Sequence, residues 1–141
     1  MIRHRMPNHI HLILKEEVEG GISRMMQRTL DGFTRYSNIK YKKSGHIFEG
    51  PFKAVHVEDN NQLLYLSTYI HKNPKELLKW QKQWEQYPWS SHQDFIGNNR
   101  WGLLLSRDII LKQFKNSKEY AKFVKTSVAK ETFDDKLLID F

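Results

Sequence analysis

Pro7-Asn8-His9-Ile10-His11-Leu12-Ile13-Leu14 is the stretch on which the fold turns, because polar and apolar residues alternate along it. Successive side chains of a strand point to opposite faces, so His9, His11 and Ile13 share one face and Ile10, Leu12 and Leu14 the other. One face is then apolar, and the other carries two imidazoles at a separation that a single metal ion can bridge. The pair is weakly diagnostic alone: with seven histidines in 141 residues, chance supplies roughly 0.3 His-x-His pairs. Two polar strand residues facing solvent give the same pattern.

Working outward, Gly20-Gly21 opens a helical stretch to about Lys43. Ile22, Met25, Met26, Leu30, Phe33 and Tyr36 recur there at the spacing of a buried stripe, and Arg24, Arg28 and Arg35 fall on another face. After the Ser44-Gly45 turn signal come two short runs, His46 to Phe48 and Phe52 to Val57, divided by Gly50-Pro51. They read as a bent hairpin or a bulged strand. Asp59-Asn60-Asn61 offers caps for a helix from about Gln62 to Asn73, which Pro74 should terminate. Its core stripe is Leu63, Leu66 and Ile70. Trp80, Trp84 and Trp89 mark a connector and read as packing residues rather than base-stacking ones. Two short helices started by Ser106 and Ser117 should follow, in a segment made basic by Lys112, Lys115, Lys118, Lys122, Lys125 and Lys130.

The composition is globular, with 39% hydrophobic and 13% aromatic residues, and 23 Lys+Arg against 16 Asp+Glu leave a net charge of +7. That excess points to a polyanionic partner. The absence of cysteine excludes disulfides, zinc-thiolate sites and a thiol nucleophile. No apolar run approaches the roughly 20 residues of a membrane span, and Met1-Ile2-Arg3-His4-Arg5 lacks the apolar core of a signal peptide. The expectation is a soluble cytoplasmic protein with no membrane partner.

On the helix ending at Pro74, Tyr65, Tyr69 and Asn73 follow one another at intervals of four, forming a stripe beside the apolar one. A phenol can attack phosphate, although a reference pKa near 10 leaves only about 0.1% ionised at neutral pH. It needs activation and a positioned electrophile. Asn73 can offer a carbonyl oxygen to a metal, and with His9 and His11 would leave coordination positions open for phosphate oxygens. A half-buried core tyrosine followed by a helix-stopping asparagine fits the same residues. A histidine-based metal hydrolase using an activated water is a further alternative. His46, His56, His71 and His92 read as ordinary polar or packed residues.

Four ordered blocks together closely resemble the REP-associated tyrosine transposases of the HUH single-tyrosine nuclease superfamily. They are Met6-Pro7-Asn8-His9-Ile10-His11-Leu12-Ile13, Gly45-His46-Ile47-Phe48-Glu49-Gly50-Pro51-Phe52-Lys53-Ala54, Leu63-Leu64-Tyr65-Leu66-Ser67-Thr68-Tyr69-Ile70-His71-Lys72-Asn73-Pro74 and Tyr87-Pro88-Trp89-Ser90-Ser91. The resemblance implies an α+β fold, a ferredoxin-like antiparallel sheet packed with helices plus a helical C-terminal extension. It implies a nuclease domain over residues 1–100 and the extension over 101–141, without the strand and helix that usually precede the histidine strand. By the same resemblance His9, His11 and Asn73 hold a divalent metal, Mg²⁺ or Mn²⁺, and Tyr69 rather than Tyr65 is the nucleophile. The activity implied is cleavage and rejoining of single-stranded or hairpin DNA through a 5′-phosphotyrosine, by a monomer or homodimer. Arg24, Arg28, Arg35, Lys42, Lys43 and Lys53 are the candidate DNA contacts. A catalytically impaired hairpin-binding remnant and a replication or mobilisation nuclease are the alternatives.

Overall fold

A computed structural model describes residues 2–5 and 7–128, with side chains over 7–128. Met6, Lys130 and the part of the expected C-terminal extension beyond residue 128 lie outside the described residues. The chain divides into two units, one made of Met1–Ile13 and Val55–Phe141 and the other of Leu14–Ala54.

The ferredoxin-like sheet that the resemblance implied is not found among the described residues. Among the described residues the sheet is a two-stranded antiparallel ribbon, β1 (Ile2–Arg5) with β2 (Ile10–Ile13), and the rest of the regular structure is helical. The register sets His4 opposite His11 and Arg5 opposite Ile10, so a strand does precede the histidine strand. The runs expected to form a hairpin, His46 to Phe48 and Phe52 to Val57, form no strand. Gly50-Pro51 interrupts them, and proline removes a ladder donor just where pairing would begin. The faces of β2 are also reversed from the simple expectation. Ile13, on the imidazole face, packs against the core, while Ile10 on the other face is 42% exposed.

In the unit Leu14–Ala54, α1 (Gly21–Tyr41) runs close to the expected span. Gly20 enters it at φ 71, and Lys42 leaves it in the left-handed region at φ 50. The Lys42 and Lys43 amides donate to the carbonyls of Ile39 and Asn38, a Schellman arrangement that satisfies carbonyls at the helix end. The expected buried stripe is not buried. No residue of α1 is, and Met25, Phe33 and Tyr36 are exposed. Gly45 turns at φ 98, its carbonyl accepting from Asn38 Nδ2 at 3.0 Å.

The core lies in the other unit. There α2 (Asn60–Lys72) starts where Asp59 Oδ1 accepts the Gln62 amide at 2.8 Å, satisfying one of the first-turn donors that have no partner within the helix. Pro74 ends the α-helix as expected, but the chain continues as a 3₁₀ turn over Asn73–Glu76, which its missing N–H permits. The short helices α3 (His92–Ile96), α4 (Asp108–Leu111) and α5 (Ser117–Thr126) follow. Asn116 rather than Ser117 caps α5, accepting the Glu119 amide at 3.0 Å. Tyr69, Ile70, Trp84, Phe95, Leu105, Ile110, Tyr120 and Val124 form the buried cluster.

Inside this cluster a directed chain of hydrogen bonds fixes α2. The Leu64 carbonyl can only accept, so Ser67 Oγ donates to it at 2.7 Å. Ser67 then accepts from Tyr120 Oη at 3.2 Å, which spends the phenol's single proton. Tyr120 Oη therefore accepts from His71 Nδ1 at 2.8 Å, and His71 Nε2 accepts from Ser91 Oγ at 2.9 Å. Full burial favours the neutral ring, which then carries its proton on Nδ1 and is tied to α5 and to the residue before α3. Burial pushes the Tyr120 phenol well above its ordinary range, so it stays protonated. A second buried knot is Asp94, whose carboxylate accepts from the Arg100 amide, Nε and Nη2 at 2.8–2.9 Å.

Removing the hydroxyl in Tyr120→Phe leaves His71 Nδ1–H without its acceptor, and should lower stability by about 1–3 kcal/mol in urea unfolding. Asp94→Ala should cost about 2 kcal/mol, the 38% exposure of the Arg100 side chain letting water recover part of the loss. Lys112→Ala, which breaks the exposed pair with Asp108, should leave the unfolding midpoint unchanged.

Candidate metal and nucleophile site

His9 lies just before β2 and His11 within it, both half-buried. Their rings meet edge to face with centroids 4.8 Å apart, as two residues on one strand face must if neither turns away. Asn8 Oδ1 accepts from His9 Nδ1 at 2.8 Å. That bond places the proton on Nδ1 and leaves Nε2 with a free lone pair, the state in which an imidazole binds a metal. Asn8 was not singled out in the sequence. Its position immediately before a candidate ligand was the available signal.

The series continues to α2. Tyr69 is 6% exposed, and its ring stands 6.0 Å from that of His11 at 75°. Tyr65, one turn earlier, is 41% exposed and leans on Phe123 of α5 at 6.3 Å. The two tyrosines of one helical stripe thus differ in burial, and Tyr69 meets the histidine strand at His11. Asn73 sits one turn beyond Tyr69, is 4% exposed, and donates its backbone amide to the Tyr69 carbonyl. The rotation of α2 that aims Tyr69 at His11 is set on the far side of the helix by His71. Its C-terminal end is held by Lys72 Nζ, which donates to the Lys125 and Ser127 carbonyls at 3.2 and 2.6 Å. A cation there also complements the carbonyl end of α5.

The donor types suit a borderline divalent ion: two imidazole nitrogens, with an amide oxygen within the same unit. No group of three or more histidine, cysteine or acidic side chains is positioned for a metal among the described residues. An ion at the histidine pair would therefore complete its shell from Asn73, from water or from substrate oxygens.

The expected DNA contacts Arg24, Arg28, Arg35, Lys42, Lys43 and Lys53 are all exposed, and all belong to the unit Leu14–Ala54. Arg24 Nη2 donates to the Glu19 carbonyl at 3.1 Å. Lys43 lines an open cleft with Tyr41 and His46. Lys40, absent from the expected set, reaches Tyr36 Oη at 3.1 Å and lies 5.3 and 5.5 Å from the Tyr36 and Tyr41 ring centres. Of the tryptophans, Trp84 is buried in the core and Trp89 is 51% exposed. No helix among the described residues is long and apolar enough to cross a membrane.

The chain matches no family model, no curated protein and no solved structure.

Replacing the amide in Asn8→Ala should free the His9 ring to shift toward the Nε2–H tautomer. Imidazole ¹⁵N shifts would read this change, and an unaltered His9 pattern would show that Asn8 does not set it.

Proposed function

We propose that this protein cuts and rejoins single-stranded DNA through a covalent bond to Tyr69, in the manner of the REP-associated tyrosine transposases that its sequence blocks resemble. The observation that carries the reading is the continuous ring series His9–His11–Tyr69, with Asn73 one helical turn further on. Further support comes from the +7 net charge and from the exposed basic residues of α1 and the segment after it.

His9, His11 and Asn73 would hold Mg²⁺ or Mn²⁺, which supplies Lewis-acid withdrawal of charge from a scissile phosphate. Tyr69 Oη attacks phosphorus. Its new bond forms as the bond to the 3′ oxygen breaks, the phenol gives up its proton, and the 3′ oxygen leaves as a hydroxyl. One phosphodiester is exchanged for another, so a second 3′-hydroxyl can reverse the step on a different strand without ATP. Tyr69 as a whole is nearly buried, and the His71 hub holds the helix that carries it.

A DNA-hairpin binder that does not cut is the second reading. It is favoured by the thinness of the β1–β2 ribbon beneath the histidines, since a lone two-stranded ribbon is marginal in water.

Hairpin-containing single-stranded DNA labelled at its 3′ end, incubated with Mn²⁺ or Mg²⁺, should yield a denaturation-resistant protein-DNA adduct. Tyr69→Phe should abolish the adduct while retaining DNA binding, and Tyr65→Phe should form it at near wild-type level. Binding without any adduct from the wild-type chain would select the second reading.

A further inference from the structure

His92, the first residue of α3, has no surface in solvent. Its ring is packed 5.0 Å from Trp84 and 5.4 Å from His71. Neither Nδ1 nor Nε2 makes a hydrogen bond of good geometry, although the Glu85 backbone lies close enough to favour the protonated ring. A neutral imidazole carries one N–H and one lone pair, so this residue buries a donor and an acceptor that water would satisfy in the unfolded chain. His71 beside it differs in having both nitrogens engaged.

The surroundings offer a positive charge too little to offset its burial. On α2 the neighbour is His71, whose Nε2 is occupied by the Ser91 hydroxyl. From the 3₁₀ turn Trp84–Gln86, Glu85 favours a charged His92, but its carboxylate is already paired with Lys125 of α5 at 3.1 Å, and Lys125 opposes the charge. Tyr120 of α5 is neutral and committed to Ser67. On α3 itself the Asp94 carboxylate is spent on Arg100. We propose that His92 is an acid-sensitive element of the core, neutral in the folded protein and able to accept a proton only when the α3 segment leaves its place against α2 and α5.

Desolvation is the largest influence on His92 and holds its pKa below the ordinary 6.5. The sign follows from linkage. Between the lowered folded value and 6.5 the unfolded chain binds more protons, so the contribution of His92 is complete above that window and declines as pH falls through it. For one such group the unfolding equilibrium constant rises between pH 7.5 and 5.5, by about tenfold at most.

Urea unfolding of the full chain at pH 7.5 and 5.5, for wild type and His92→Leu, tests this. Leucine removes the titrating ring at similar volume and should reduce the pH dependence of the unfolding constant, by about tenfold at most. If His92→Leu retains the wild-type pH dependence, the proposal is overturned. Should that variant not fold, the wild-type His92 Hε1 resonance decides. Its titration in the folded protein is expected to be centred below 6.5, and a folded-state titration centred at 6.5 or above would overturn the proposal.

Discussion

The ordered core of this protein depends on a buried imidazole that has no freedom left. His71 is clamped between the Tyr120 phenol and the Ser91 hydroxyl, and the proton order of the chain runs one way, from Ser91 through His71, Tyr120 and Ser67 to the Leu64 carbonyl. Because each donor has one acceptor, neither the tautomer nor the helix rotation can change alone. A satisfied polar network of this kind specifies one arrangement of the surrounding apolar residues, where Phe95, Ile110 and Val124 could otherwise repack. It joins α2, α5 and the start of α3, which local propensity could not hold together. Helices of four and five residues lie below any length that persists alone.

That same clamp gives the candidate site its definition. Tyr69 and His71 are two residues apart and so point to different sides of α2. Fixing one fixes the other. Across the helix the tyrosine meets His11, and the edge-to-face contact of His9 with His11 carries the series to a ring whose proton is placed by Asn8. The chemistry asked of this cluster rests on a narrow support, since β2 has one strand partner among the described residues. The helical side of the site is therefore held by buried hydrogen bonds, and the histidine side by a short ladder and by Ile13 against the core.

Local signals were legible in the sequence where local chemistry is decisive. Asp59 caps α2, Pro74 ends its α-helical run, Gly45 turns the chain, and the alternation around His9 and His11 makes a strand. Long-range pairing was not legible. The runs around Gly50-Pro51 have strand-like composition but find no partner, because extended backbone becomes sheet only when a second strand supplies its hydrogen bonds. The blocks resembling a transposase family carried with them an expected sheet that these residues do not build. Nor could spacing reveal that the imidazole face of β2 is the inward one, which depends on His11 meeting Tyr69 across some fifty residues of chain. His71 and His92 read as packed residues and are buried. Their opposite hydrogen-bonding states follow from Tyr120 and Ser91, which lie far from His71 in sequence.

The 21 residues of α1 include none that is buried. Such a helix draws its order from its own ladder, from the cap at Lys42 and from a few contacts such as Phe33 with Phe48 and Asn38 with Gly45, and so follows helix–coil statistics more than the all-or-none behaviour of a packed core. Its ellipticity should then decline gradually on warming, ahead of the tryptophan fluorescence of Trp84, and a single melting temperature would describe only part of this chain.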